Sequence, residues 1–396
     1  MQILHLIGTL SPEAGGPSQA VRTFLSYKDI GYFGEAVTLD NPAEPFLKNI
    51  DFPVHAVGSG NSGYGYSYSS KLVPWLRENH SRFDGVVVDG LWNYCGFATW
   101  RALAGTDTPY MVFPHGMLDP YFKHISLLKH LKKWLYWAPV EYRVLRDAYR
   151  VLFTSTAERD LAEQSFSLHR WTPHIVPYGT SGVPDRNPAN LAETFFERCP
   201  DVRNHRFLLY LSRIHRKKGC DLLIRAFGKA AHMDAGLHLV MAGPDLQGWG
   251  EELRQIARDL GVDHRIHWPG MLAGDAKWGA FYTSEAFILP SHQENFGIAV
   301  AEAMSCRKPV LLSDKVNIAE VIANDQAGFM ESDTEEGTLR LLERWIATPS
   351  EERLAMGERA VQCFRQRYDM RESARMILQL FEASKGPKGK TVLSHS

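Results

Sequence analysis

The sequence predicts an α/β protein built from two Rossmann-like domains facing a central cleft, and three observations carry that expectation. Short β-branched runs recur, each followed by a Gly- or Ser-bearing turn and then a helical pattern, which is the rhythm of parallel βαβ units. The 396 residues exceed the roughly 250–300 at which one hydrophobic core stops growing. Finally, Trp171–Asn190 interrupts the rhythm with Pro173, Pro177, Gly179, Gly182, Pro184 and Pro188 before it restarts.

Taken in order, Ile3–Ile7 opens as a strand, and Gly85–Val88 reads as a buried one because Val86, Val87 and Val88 are all β-branched. Tyr110–Phe113 and Val151–Phe153 continue the first half. Past the breaker stretch, Phe207–Leu211, His238–Met241, Phe287–Leu289 and Val310–Leu312 repeat the pattern, each followed by a turn and a helical segment. The expected domains are 1–185 and 186–369, with a Gly/Pro/Lys/Ser-rich tail over 386–396.

Composition excludes several classes. Hydrophobic content of 44% with 22% charge is that of a globular chain, and 44 basic against 45 acidic residues leave a net charge of −1. Neither a disordered chain nor one that binds nucleic acid through overall charge fits. No run of about 18 apolar residues occurs, and Met1–Leu10 lacks a basic start and a small-residue cleavage pattern, so a cytoplasmic location is expected. The five cysteines (95, 199, 220, 306 and 363) are scattered, with no Cys-x-x-Cys pair, and are expected to be reduced core fillers.

Gly58-Ser59-Gly60-Asn61-Ser62-Gly63 matches a dinucleotide fingerprint in letters only, because Tyr64–Ser69 separates its third glycine from the next helical pattern. Gly15-Gly16-Pro17-Ser18 is better placed: it follows the first strand and leads into the helix Ala20–Ser26, where adjacent glycines admit a ligand and Ser18 can cap. Later, Ser212-Arg213-Ile214-His215-Arg216-Lys217-Lys218-Gly219 concentrates four fixed positive charges between a strand end and a helix start, a pattern suited to a diphosphate. Gly243 and the Gly270-Met271 pair end two further strand-like runs. In Pro290–Met304 a buried strand runs into a polar turn holding Glu294, then a helix carrying Glu302 eight residues on. With a helix start near Phe296–Gly297, the N–H groups of Gly297, Ile298 and Ala299 would face an anion.

On these motifs the chain resembles the retaining glycosyltransferases of family 4, which have the GT-B fold. Glu294…Glu302 looks like that family's Glu-x7-Glu signature, Ser212-Arg213…Lys218-Gly219 like its diphosphate segment, and Gly15-Gly16 like its N-terminal glycine loop. Pro114-His115-Gly116, Val176-Pro177-Tyr178-Gly179 and Lys308-Pro309-Val310 occur in the family's order, and Tyr178 departs from it by standing where many relatives have Asn. The likeness is strongest to bacterial members that build exopolysaccharide or lipopolysaccharide. It implies that Arg213 and Lys218 hold a nucleotide diphosphate and that Glu294 binds donor-sugar hydroxyls with the Asn295, Phe296, Gly297 and Ile298 backbone. Glu302 would accept from the ribose, Gly243 and Met271 would lie near diphosphate and base, and His115 would contact the transferred sugar. Catalytic roles are thus expected for His115, Glu294, Arg213 and Lys218. The resemblance also implies that the C-terminal helix, about 370–385, completes the first domain.

No Asp-x-Asp is present, so neither a metal nor a cofactor is expected, protein cations serving the leaving diphosphate. The expected activity is retaining transfer of a hexose, best glucose, from a UDP-sugar to a growing lipid-linked glycan. The alternatives are a UDP-sugar epimerase and a non-catalytic nucleotide-sugar-binding protein. Tyr121–Arg150 bears seven basic against two acidic residues, with apolar residues at helical spacing. It is expected to form an amphipathic helix whose Lys129, Lys132 and Lys133 meet an acceptor's phosphates at the anionic inner face of a membrane.

Overall fold

The computed structural model describes residues 1–59, 65–120 and 133–385. The chain divides into two compact units, one of Met1–Tyr178 together with the segment from Met370 onward, the other of Gly179–Asp369. Both are α/β units with wholly parallel sheets.

In the first unit, seven strands are β1 (Gln2–Ile7), β2 (Phe33–Thr38), β3 (Val54–Ala56), β4 (Gly85–Asp89), β5 (Tyr110–Phe113), β6 (Arg150–Phe153) and β7 (Pro173–Ile175). They lie in the order β3-β2-β1-β4-β5-β6-β7. Strand order reverses between β1 and β4, which pair from Ile3 with Gly85 to Ile7 with Asp89. Open parallel sheets bind ligands outside the carboxyl ends of the strands at such a switch point. β2 and β7 escape simple pattern reading: β2 alternates too weakly, and β7 begins on Pro173 at the sheet edge, where a missing N–H is tolerated. The helix Met370–Ser384 packs on this unit, far from it in sequence. Arg371 pairs with Asp29, Lys385 with Asp84, and a Cβ at Gly85 would collide with the Phe381 ring.

The second unit holds β8 (Arg206–Leu211), β9 (Leu237–Ala242), β10 (Ile266–Gly270), β11 (Ala286–Leu289), β12 (Val310–Ser313) and β13 (Gly328–Glu331), in the order β10-β9-β8-β11-β12-β13. Its switch point falls between β8 and β11, which pair at Leu208–Ala286 and Leu209–Phe287. Leu208, Leu209, Phe287, Ile288, Val310 and Leu311 are fully buried, as expected of strands covered by helices on both faces. Burial of each such side chain contributes about 1.5–3 kcal/mol.

At the opposite, amino-terminal edge of this sheet, His205, His238 and His267 form a column. His205 and His238 stack at 3.9 Å between ring centroids, and His238 Nδ1 lies 2.9 Å from His267 Nε2. Burial, then the neighbouring imidazoles, push His238 down to about 4, and burial also lowers His267. The unfolded chain, with histidines near 6.5, therefore takes up protons before the folded one as pH falls. Stability is expected to drop between pH about 6.5 and 4 and to level off below. Denaturant unfolding from pH 7 to 4 checks this, with His238→Gln flattening the dependence; a wild-type midpoint constant across that window would disprove it.

Candidate active site

The loops leaving β8 and β11 at the second unit's switch point are laced together. The Lys217 carbonyl accepts from the His292 N–H at 2.8 Å and from Ser291 Oγ at 2.9 Å. Lys217 Nζ donates to Gln293 Oε1 at 3.2 Å. His215 caps the single turn Arg216–Lys218, its Nδ1 accepting from the Lys217 N–H at 3.0 Å. Burial, then Arg213, Lys217 and Lys218, lower the pKa of His215, so the ring stays neutral and able to accept. Gly219 closes the turn with φ +64°, and a Cβ there would stand 2.0 Å from the Pro290 carbonyl oxygen, so only glycine lets the two loops meet.

This lacing delivers Lys218 to Glu294. Lys218 is 8% exposed, and its Nζ lies 2.6 Å from Glu294 Oε2 and 3.4 Å from the Gln293 carbonyl. The Glu294 backbone is itself held by Lys315 and Asn317 through two 3.0 Å bonds. Arg213 is exposed, and among the described residues its guanidinium makes no ion pair, which leaves it able to meet an incoming anion.

The helix after β11 spans Ile298–Ser305, with Gly297 at its N-cap in the left-handed region, φ +77°. A Cβ on Gly297 would stand 3.2 Å from Glu294 Cγ. Asn295 Oδ1 accepts from Asn317 Nδ2 at 3.2 Å, and Phe296 is buried edge-on to Tyr368. The side chains of Asn295 and Phe296 thus brace the loop. Gly243 follows β9 with its N–H bonded to the Gly270 carbonyl at 2.9 Å, and the next residue, Met271, is exposed.

Glu302 sits on the helix as expected but is 7% exposed and already engaged: Lys277 Nζ lies 2.6 Å from its Oε1. Burial raises the Glu302 carboxyl, with Lys277 opposing. Sequence reasoning missed Lys277, which sits on the helix Gly274–Thr283; the only available signal was a lone lysine among apolar and small residues.

In the first unit, Gly15 is the N-cap of the helix Gly16–Phe24, with Gly16 as its first residue. Ser18, expected as the cap, is instead the third residue of the helix and buried, because the helix starts earlier than its apolar pattern suggests. The preceding loop is held by Asp40, whose Oδ2 accepts from the Leu10 N–H at 2.8 Å, while Arg22 donates to the Leu10 carbonyl at 2.8 Å.

His115 follows β5 with φ +51°, and its Nε2 lies 3.1 Å from Asp89 Oδ1 at the end of β4. Sequence reading found His115 but neither Asp89 nor His5, although a charged residue closing Val86-Val87-Val88 and a histidine inside Ile3–Ile7 were visible anomalies.

The expected lysine face over 121–150 fares differently. Lys129 and Lys132 lie outside the described residues. Lys133 is half-buried with its ammonium 4.5 Å from the centroid of the Trp92 ring, a cation–π contact, and burial lowers its pKa. The single helix expected there is also interrupted, by a π-turn over Trp137–Glu141 before the helix Tyr142–Asp147. That turn carries Glu141, which sequence reading passed over. It is buried, accepts from the Trp92 N–H at 2.6 Å, and burial pushes it up to about 7.

Residues 20–179 match the family described as Glycosyl transferase 4-like domain, and residues 193–362 match Glycosyl transferases group 1. The two glycosyl transferase models together span most of the chain, and its fold is the GT-B fold. HepE of Anabaena, solved with UDP and glucose, superposes on this chain with a TM-score of 0.74 over 97% of it and 100% of HepE, at 18% identity, a likeness of fold. D-inositol 3-phosphate glycosyltransferase of Actinosynnema mirum is 32% identical over 198 residues, 48% of this chain and 47% of that protein. An uncharacterized glycosyltransferase of Methanocaldococcus jannaschii, MJ1607, is 27% identical over 135 residues, 34% of each chain. The chain thus spans between a third and a half of the length of these curated relatives. Among the described residues of this GT-B chain, no helix is long and apolar enough to cross a membrane.

Proposed function

We propose that the chain transfers a hexose, best glucose, from a UDP-sugar to a hydroxyl acceptor with retention of anomeric configuration. The observation that carries this reading is the Lys218–Glu294 pair at the β8/β11 switch point, beside the exposed Arg213 and the start of the Ile298–Ser305 helix. Departure of UDP develops negative charge on the β-phosphate, which two fixed cations and free helix N–H groups stabilise. Glu294, neutralised by Lys218, is a weak nucleophile, which favours front-face attack over double displacement. The acceptor oxygen bonds the anomeric carbon as the bond to the β-phosphate oxygen breaks, and the acceptor proton passes to that oxygen. The buried Glu302, paired with Lys277, accepts from the ribose hydroxyls.

HepE, of like fold, was solved with UDP-glucose, which supports the donor class. For the acceptor, the basic balance of 121–150 favours a lipid-diphosphate-linked glycan on the cytoplasmic face of a membrane. A second reading, a small phosphorylated polyol, is favoured by relatives named D-inositol 3-phosphate glycosyltransferase and mannosylfructose-phosphate synthase.

The reaction is assigned to protein cations, so transfer is expected to survive EDTA. Calorimetry with UDP, GDP and ADP, followed by a turnover screen of UDP-hexoses against both acceptor classes with and without chelator, tests the reading. Preference for GDP or ADP would overturn the donor, activity restored only by Mn²⁺ would overturn the metal-free chemistry, and free sugar as the sole product with every acceptor would favour the epimerase.

A further inference from the structure

The carboxyl end of β4 carries a buried polar chain that no step above uses. Asp89 is 2% exposed and touches two histidines: His5 Nδ1 lies 2.8 Å from its Oδ2, and His115 Nε2 lies 3.1 Å from its Oδ1. His5 is fully buried, and its other nitrogen meets the Tyr32 hydroxyl at 2.8 Å. Burial alone would raise the Asp89 carboxyl, yet His5 and His115 outweigh it and hold it below the usual range, so it is an ionised acceptor.

An ionised carboxylate can only accept, so both imidazole nitrogens facing it must be N–H donors. His5 then takes the Tyr32 O–H on Nε2, and every polar atom of that branch is satisfied. His115 differs, since its Nδ1 has no hydrogen-bond partner among the described residues.

The backbone at His115 is also held in an unfavourable shape. His115 and Gly116 are both left-handed, φ +51° and +72°, which for a non-glycine residue costs of order 1 kcal/mol or more and persists only where its surroundings enforce it. They do. Glu158, buried, accepts from the Gly116 N–H at 2.6 Å while its second oxygen takes the Thr154 N–H at 2.7 Å and the Thr154 hydroxyl at 2.6 Å. The His115 ring stacks on Phe113 at 5.3 Å and meets Tyr178 edge-on at 5.1 Å. Ring and backbone are thus clamped separately, at the carboxyl end of a parallel strand beside the first unit's switch point, where ligands bind.

We infer that Asp89 is a positioning residue that holds His115 as the Nε2–H tautomer, so that Nδ1 is presented as a hydrogen-bond acceptor for a saccharide hydroxyl. The saccharide part of this inference rests on the proposed transferase reading; the tautomer part does not. His5 and Tyr32 extend the clamp inward by fixing the carboxylate's orientation, as partners behind a functional imidazole do elsewhere.

Long-range proton–nitrogen spectra of protein carrying nitrogen-15 histidine, with the His115 signals assigned through His115→Gln, read the tautomer directly. Wild type is expected to show His115 protonated on Nε2 and bare on Nδ1, and Asp89→Asn to shift it to a tautomer mixture. UDP release from UDP-glucose should fall about 10–100-fold in kcat in Asp89→Asn, the scale for losing such a partner, with UDP affinity unchanged. A wild-type ring protonated on Nδ1 would overturn the inference even if Asp89→Asn failed to fold. An altered spectrum with unchanged kcat would overturn the acceptor role, and an unchanged spectrum would overturn the tautomer control. Absence of UDP-glucose turnover in wild type would instead overturn the donor reading and leave the spectra to decide the tautomer.

Discussion

Lys218→Ala is expected to slow transfer from UDP-glucose by about 10²–10³ in kcat/KM, the scale for removing one preorganised charge partner of a transition state. The size follows from placement. Lys218 is largely buried, and its Nζ is fixed by Glu294 at 2.6 Å, so its charge needs little reorganisation when the leaving phosphate becomes more negative. The same substitution strips Glu294 of its counter-charge. The two effects separate in a double-mutant cycle: Glu294→Ala should leave UDP affinity nearly intact while losing turnover, Lys218→Ala should lose both, and the double variant should lose less than the sum. Turnover and calorimetric UDP affinity equal to wild type in Lys218→Ala would remove the pair from the active site.

Lys277→Ala is expected to be the most destabilising single change in the second unit's site at pH 8, because it leaves the buried Glu302 carboxyl without its partner. Breaking a buried pair by removing one member costs about 3–5 kcal/mol. For a unit of this size each kcal/mol moves Tm by about 2–4 °C, so the fall should be on the order of 6–20 °C. The pH dependence has a definite sign. The Glu302 carboxyl is already raised by burial, and losing Lys277 raises it further. A carboxyl higher in the folded than in the unfolded state binds its proton preferentially in the folded state, so stability falls as pH rises from about 4.3 through the folded value. Lys277→Ala should therefore be closer to wild type at pH 5 than at pH 8, and Lys277→Ala/Glu302→Gln should recover most of the loss at pH 8. Thermal unfolding at both pH values checks this. A Tm within 2 °C of wild type at pH 8 would show that the pair does not hold the helix, and nucleoside binding would then have to be sought elsewhere.

Several features were legible because they are local. Val86-Val87-Val88 can only be a covered strand, since three β-branched side chains in a row bury on both faces of a sheet. Arg213, Lys218 and Glu294 announced themselves by crowding into two short turns, each next to a strand of the same rhythm, and Glu302 by standing on the helix that follows the second turn. β13 went unread because Gly328–Glu331 is four residues long and half-buried, so alternation has no room to show. The chain was divided by reading at 185, in the middle of the Pro/Gly stretch; the units part at Tyr178, because Val176 and Tyr178 are still buried with the first of them.

What the sequence determined by itself is the architecture and the charged loops, for periodicity, turn residues and charge density act over a few residues at a time. What tertiary structure decided is which charge meets which. Lys277 and Glu302 are 25 residues apart and join through the β11 crossover; Lys218 and Glu294 are 76 apart and join across a parallel pair; Asp89 gathers His5 from 84 residues away. Parallel strands connected by helices bring their carboxyl ends to one edge whatever their separation in the chain, and once the ends are buried an unpaired charge is too costly to keep. The partners are thus selected by the desolvation that folding imposes, which no local pattern in the chain records.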